Sequence, residues 1–224
     1  MADLPAAPSP GDPSSAEIDD DLDGSRLETK GVRTRRRLLE IAIERFGTKG
    51  YRGTSVSEIA REAGLTQAAV YAYFQSKEQL FDAAVDADAE AAILGAAEGV
   101  STTPAGQLVP MVLVLLVGGL GNHPLAERVL AGKEPDTLPR LVDLPALGQL
   151  RTLIADRVRA AQETGEVRAD IDPDQYADGA EAILLSLLMS ITVIGQATET
   201  RRQLGVLTIF DAALRPSILS VLDR

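Results

Sequence analysis

The sequence has no cysteine and no tryptophan among its 224 residues, and it has a single histidine, His123. Without cysteine the chain can form no disulfide, no thiolate metal site and no cysteine nucleophile. One histidine without thiolate partners makes a transition-metal site improbable, so we expect no metal and no cofactor. The lack of cysteine is also compatible with a reducing, cytoplasmic location.

Long apolar runs are missing as well. The two longest, LVPMVLVLLVGGL and ILLSLLMSITVIG, contain 13 residues each, whereas a helix that spans a bilayer needs about 20 apolar residues. The N-terminus has no basic region followed by an apolar core, which a secretory signal requires. We therefore expect two buried helices and no association with a membrane.

The usual enzyme motifs are missing too: the sequence has no glycine-rich phosphate loop and no nucleophile elbow,. The closely spaced acids Asp170, Asp172 and Asp174 are typical of a loop followed by a helix cap. We therefore expect a protein that is not an enzyme.

The formal net charge of −11 is unevenly distributed along the chain. Residues 1–28 carry −7, residues 29–80 carry +5 and residues 81–224 carry −9. One basic segment in an acidic chain indicates a polyanionic partner for that segment alone. The first 30 residues are rich in proline and acids, which predicts a disordered tail. Since this tail adjoins an arginine-rich segment, we also hypothesise that it competes with a polyanion there, although a solubilising or alternative-start extension is the simpler explanation.

Apolar residues recur at helical spacing through the rest of the chain, and no segment alternates with a period of two. The sequence therefore predicts an all-α fold of about nine helices. The first four predicted helices run from about Arg33 to Thr48, from Ser55 to Ala63, from Thr66 to about Phe74 and from Ser76 to about Glu98. The next three cover the segments QLVPMVLVLLVGGL, PLAERVLAG and ALGQLRTLIADRVRAAQETG. The last two run from Asp172 to about Ile194 and from near Thr200 to Arg215.

Two of these helices, in TSVSEIAREAGLTQAAVYAYF, are separated by a short turn at Gly64. This is the geometry of a helix-turn-helix, in which the second helix enters the major groove of DNA. Gln67, Ala68 and Tyr71 would face outward, where Gln can pair with adenine. On spacing alone, an ordinary packed helical hairpin is the more frequent structure, so this alternative stays open.

The segment from residue 34 to 82 resembles the N-terminal DNA-binding domain of the TetR family of transcriptional regulators. The similarity is continuous through TRRRLLEIAIERFGTKGY, TSVSEIAREAGL, TQAAVYAYF and SKEQLF. Many family members have Lys-Gly where this chain has Gln67 and Ala68, so the preferred bases are expected to differ. An arginine, Arg45, also stands at a position that is usually apolar.

The helix starts and the resemblance together predict a set of DNA-contacting residues on this domain, which we place at residues 31–78. These residues are Arg33, Arg35, Thr54, Ser55, Thr66, Gln67, Ala68, Tyr71, Tyr73 and Lys77.

The resemblance further implies that residues 79–224 form a helical domain for effector binding and dimerisation. Residues 183–194 are apolar nearly all round, as expected for a helix covered by a second protomer, although a helix buried within one domain has the same pattern. We expect a homodimer through the last two predicted helices. The effector pocket is predicted at Met111, Leu115, Leu153, Leu184 and Met189, and the same aliphatic residues would also suit an ordinary core.

These inferences predict a DNA-binding transcriptional regulator. The expected form is a repressor that a small, largely apolar effector releases from a palindromic double-stranded operator. Two alternatives stay open at this point: control by a protein partner instead of a small molecule, and activation instead of repression.

Overall fold

The computed structural model describes residues 30–194, 205, 208–210 and 212–215. Every regular element within these residues is helical, so the predicted all-α class is confirmed. The α-helices are α1 (Lys30–Gly53), α2 (Val56–Ala63), α3 (Gln67–Tyr71), α4 (Lys77–Gly99), α5 (Ala105–Gly119), α6 (Pro124–Leu130), α7 (Leu138–Val142), α8 (Pro145–Glu163) and α9 (Pro173–Ile194). The predicted tail up to residue 29 and most of the predicted helix from Thr200 to Arg215 lie outside the described residues.

Local capping signals account for several helix ends. Ser55 and Glu58 form the predicted capping box at the start of α2, in which each side chain accepts the backbone N–H of the other residue,. Gly64 ends α2 in the left-handed conformation, with φ 71°,. At the start of α9, Asp172 Oδ1 accepts the N–H groups of Asp174 (2.9 Å) and Gln175 (3.1 Å). These ends are fixed by a few neighbouring residues, so the sequence could predict them.

The segment with Pro135, Pro139 and Pro145 is more helical than the loop that the sequence predicts. It contains a 3₁₀ helix, Pro135–Thr137, and α7, and each of the three prolines lies in the first turn of a helix. Proline suits this position because the first amides of a helix need no intrahelical partner. The prolines therefore begin helices here instead of preventing them. Helix α3, in contrast, is shorter than predicted, because it ends at Tyr71 and not at Phe74.

Helix α6 joins the first helix to the rest of the molecule. It packs against α1 and α4, and a Cβ at Gly47 of α1 would lie 2.8 Å from Cβ of Pro124. The side chain of Asp88 on α4, which is 4% exposed, accepts the N–H groups of Leu125 and Ala126 at 2.9 Å each. No side chain of the α6 segment itself caps this end. A carboxylate of α4 therefore supplies the N-cap of α6 and fixes the two helices to each other.

A second junction lies at Gly50, where α1 is interrupted by a non-helical residue with φ 76° and ψ 173°. Beyond it, the N–H of Tyr51 donates to Glu134 Oε1 (3.1 Å), which also accepts from Arg128 Nε (2.8 Å). The end of α1 is thus hydrogen-bonded to the segment that follows α6.

Replacing Gly50 with alanine is expected to lower the free energy of unfolding by about 1–3 kcal/mol, because a side chain is strained at this φ. The new Cβ would also meet Glu134 Oε1 at 2.7 Å and the guanidinium of Arg128. Gly95→Ala is the matched control: Gly95 lies inside α4 with no atom near its would-be Cβ, so about 0.5–1 kcal/mol of stabilisation is expected. Urea denaturation of both variants measures the difference, and equal stabilities would contradict the assignment of strain.

Two helical segments, Ala105–Asn122 and Pro173–Ile194, are long and apolar enough to cross a bilayer by length and composition. They extend beyond the 13-residue apolar runs from which the sequence predicts buried helices. Both segments pack against α8 and against each other. Core helices of soluble proteins meet the same criterion, so this property is weak evidence for a membrane span.

Candidate DNA-binding face and interior cavity

The exposed side of α3 and the residues that follow it form what we call the reading face: Gln67, Ala68, Tyr71 and Tyr73. All four side chains are exposed, whereas Val70 is fully buried. Gln67 Nε2 lies 3.5 Å from the hydroxyl of Tyr71, at the outer limit of a hydrogen bond,. The face therefore presents an amide, a methyl group and two phenols that the core does not use.

Thr66 caps α3, and its Oγ1 accepts the N–H of Ala69 at 3.2 Å. Its hydroxyl proton stays available for a phosphate oxygen, because acceptance of the amide uses only an oxygen lone pair. This position suits a contact that orients the helix over the backbone of DNA.

The structure corrects the expected role of the Thr54 hydroxyl. Thr54 is 3% exposed, and its Oγ1 lies 3.0 Å from the carbonyl oxygen of Gly50 and 3.1 Å from that of Arg45. The hydroxyl therefore donates inward and helps to hold α1 against the start of α2. Ser55 is exposed, but its hydroxyl belongs to the capping box with Glu58. A phosphate at this end would have to bind the backbone amides of the first turn.

Glu58 also pairs with Lys49 at 3.2 Å. The backbone hydrogen bond from Ser55, followed by the interactions with Lys49, lowers the pKa of the Glu58 carboxyl below its usual value. The carboxylate form that the capping box uses is thus favoured at the start of α2.

The predicted cations lie at the surface of the same domain. Arg33 and Arg35 are exposed on the first turns of α1, and the guanidinium carbon of Arg35 lies 5.0 Å from the ring centre of Phe74. Lys77 Nζ lies 4.4 Å from the ring centre of Tyr51. Cation–π contacts of this kind leave the outer N–H groups free to donate to phosphate.

Arg45, at a position that the TetR family usually fills with an apolar residue, is explained by its partner. Its Nε donates to Glu62 Oε2 at 2.6 Å, which links α1 to α2. Both side chains are about two-fifths exposed. The arginine therefore lies at the edge of the domain, where an apolar side chain would be partly exposed to solvent.

A cavity of about 50 Å³ lies between α4, α5, α6, α7, α8 and α9. Its described lining consists of twelve apolar residues and Glu181. The apolar residues are Ala89, Ala92, Ile93, Leu116, Ala126, Leu141, Leu144, Leu147, Leu150, Leu184, Leu185 and Leu188. Pockets for small molecules are usually 300–1,000 Å³, so this cavity is smaller than a typical ligand pocket as it stands.

Of the five residues predicted for an effector pocket, the structure places only Leu184 in the lining of this cavity. Met111 is 38% exposed on α5, and Leu115 borders a separate groove of about 150 Å³ near His123. Leu153 and Met189 are half-buried against the core. Aliphatic character does not distinguish a cavity wall from an ordinary core position, so the sequence could not separate these groups.

Sequence reasoning missed Glu181 and Asp88, although the helical period contained a signal for both. Glu181 continues the buried series Ala177, Ala180, Leu184 on α9, and Asp88 continues Ala84 and Val85 on α4. Acids on the apolar face of a helix are rare unless they are paired or functional. Both residues could have been selected on this ground.

Apolar side chains are also exposed on α9, at its middle (Ile183, 37%) and near its end (Val193, 66%, and Ile194, 53%). This is part of the segment for which the sequence predicts a dimer contact.

Two family profiles match the chain. The profile "Bacterial regulatory proteins, tetR family" matches residues 38–84, and "Tetracyclin repressor-like, C-terminal domain" matches residues 143–206. The chain is 27% identical over 183 residues to the HTH-type transcriptional regulator YdgC of Bacillus subtilis, a match that covers 75% of this chain and 86% of YdgC.

Solved structures agree with this result. A TetR transcriptional regulator from Chloroflexus aurantiacus is similar with a TM-score of 0.64 and 26% identity, over 84% of this chain and 99% of that protein. AibR in complex with isovaleryl coenzyme A and operator DNA has the same fold, with a TM-score of 0.52 and 20% identity over 80% of this chain and 98% of AibR.

Proposed function

This chain belongs to the TetR family of DNA-binding transcriptional regulators, and we propose that it is a repressor that a small, largely apolar effector releases from a palindromic operator. The family is not enzymatic, and this chain is a regulator. The observation that carries the proposal is the reading face, since its polar groups are exposed over a buried Val70 and do not take part in the core. We assign residues 31–78 to DNA binding and residues 79–224 to effector binding and dimerisation, in the cytoplasm.

A homodimer would provide the sequence specificity of operator binding. The exposed apolar side chains near the end of α9 need cover that the described part of one protomer does not give,. A two-fold dimer through this helix and the segment after it would place two copies of α3 on one side of the assembly. The half-sites of the operator would then be one helical turn of DNA or a multiple apart, with a turn of about 34 Å.

Release from DNA would begin at the cavity. An effector larger than about 50 Å³ has to push its walls apart, and Ala89, Ala92 and Ile93 of α4 form one of those walls. Helix α4 begins six residues after α3 ends, and Asp88 binds it to α6, which rests on α1. A shift of α4 would thus move the reading face directly, through the short connection between α3 and α4, and indirectly, through α6 and α1. A 100-fold release requires about 2.7 kcal/mol of preference for the shifted state.

The test is selection of genomic fragments by the purified full-length chain, followed by sequencing of the bound DNA. We expect a palindromic site, with an affinity that falls steeply as salt is raised, because each phosphate-bound cation contributes about −0.9 to the slope of log K against log[salt]. A reporter gene placed behind the site should be expressed less when the protein is present. Failure to recover a palindrome would contradict operator recognition, and increased expression would identify an activator.

A further inference from the structure

Glu181 has unusual surroundings for a carboxylate. It is 8% exposed, and among the described residues it is the only charged one in the lining of the cavity. Its neighbours in the lining from α9 are Leu184, Leu185 and Leu188. A charged group in such a place is costly unless hydrogen bonds satisfy it.

Both of its oxygen atoms lie near the guanidinium of Arg151, but only one of them accepts a directed hydrogen bond. The guanidinium of Arg151 donates from Nη1 to Glu181 Oε1 at 3.1 Å. The same nitrogen lies 3.0 Å from Oε2, but no hydrogen bond is directed at that oxygen, which is buried. Burial raises the pKa of the Glu181 carboxyl above its usual value, although Arg151 acts in the opposite direction.

A structural role explains only part of this arrangement. The ion pair with Arg151 fastens α8 to α9, with Nη1 within 3.1 Å of both carboxylate oxygens. Arg151 is 41% exposed and also lies 3.9 Å from the exposed carboxylate of Asp178. A pair that served only to join the two helices could lie at the surface, where water would satisfy both oxygens.

We propose that Glu181 Oε2 accepts a hydrogen bond from the effector, which is therefore an apolar molecule carrying one N–H or O–H donor. This inference rests on the proposed function, because it identifies the chemistry of the ligand that fills the same cavity. An anionic ligand is disfavoured here, since two negative charges would be close together in an apolar surrounding. The donor on the effector thus gives Oε2 the directed hydrogen bond that it lacks, and the apolar body separates the cavity walls.

Four probes with the same six-carbon ring test this chemistry: cyclohexanol, cyclohexylamine, cyclohexyl methyl ether and cyclohexanecarboxylate. Their binding to the full-length dimer is measured by NMR at millimolar concentrations. We expect the alcohol or the amine to bind about tenfold or more tightly than the ether, because a hydrogen bond to a charged acceptor has that strength. The carboxylate should bind most weakly. The alcohol and the amine distinguish a neutral donor from a cationic one.

Two variants identify the responsible atom. Glu181→Leu removes the acceptor and should abolish the preference for the alcohol or amine over the ether. Glu181→Gln keeps a neutral acceptor, so it should retain part of the preference and bind the carboxylate better than the wild-type protein does. If Glu181→Leu does not fold, Glu181→Gln still tests whether the acceptor at this position determines the preference.

Three results would overturn the proposal: equal binding of alcohol, amine and ether, no binding of any probe, or a donor preference that persists without Glu181. Operator binding in the absence of probes is measured on the same samples. If the operator is bound but donors are not preferred, the inference about Glu181 fails while the regulatory function stands. If no operator is bound, the proposed function itself fails.

Discussion

Replacing Gln67 with alanine is expected to weaken operator binding by about 30-fold to 10⁴-fold. A glutamine that pairs with both N6 and N7 of an adenine contributes about 1–3 kcal/mol of discrimination. A two-fold dimer loses this contact in both half-sites, so the effect is about 2–6 kcal/mol. Gln67 is exposed, and the substitution should leave the melting temperature unchanged.

Fluorescence anisotropy with the selected operator and with a scrambled duplex measures this effect. The scrambled duplex should bind equally to both proteins, because contacts with phosphates carry no sequence information. Gln149→Ala is the matched control, since Gln149 is exposed on α8, away from the helix-turn-helix. Equal losses on the two duplexes would mean that Gln67 contacts the backbone and reads no base.

The second large effect is expected for Asp88→Ala, which should lower the free energy of unfolding by about 3 kcal/mol or more. The buried carboxylate accepts two backbone N–H groups at the start of α6, and hydrogen bonds to a charged group are worth about 1.5–3 kcal/mol each. For a chain of this size the melting temperature should fall by about 6–12 °C.

Asp88→Asn should lose less stability, because one amide oxygen can still accept both N–H groups. Asp143→Ala serves as the control for removal of a carboxylate, since Asp143 is exposed. Calorimetry of the three variants measures the order of their melting temperatures. If Asp88→Ala unfolds at the same temperature as Asp143→Ala, the start of α6 obtains no stability from α4.

The parts of the fold that depend on neighbouring residues could be predicted from the sequence. The capping box of Ser55 with Glu58, the left-handed turn at Gly64 and the cap of Asp172 each involve residues within a few positions. The buried Val70 follows from helical periodicity alone,. The family resemblance then added a function that spacing by itself left open.

The remaining features depend on residues that are distant in the sequence. Asp88 accepts an amide 37 positions away at Leu125, and Glu134 accepts the N–H of Tyr51 across 83 positions. Thr54 is hydrogen-bonded inward because the end of α1 folds over it. The cavity is formed by six helices whose aliphatic residues have the same pattern as any core. Hydrophobic periodicity indicates which side of a helix is buried, but it does not indicate what that side meets.

The small size of the cavity, about 50 Å³, has a kinetic consequence. An effector that needs more room can bind only to conformations in which the walls stand farther apart. The observed association rate then reaches a ceiling set by the opening rate, however much effector is present. The apparent affinity is likewise reduced by the small fraction of molecules that are open. An interior that has to widen first would make this regulator slow to respond, so that brief rises in effector concentration would not change transcription and sustained rises would.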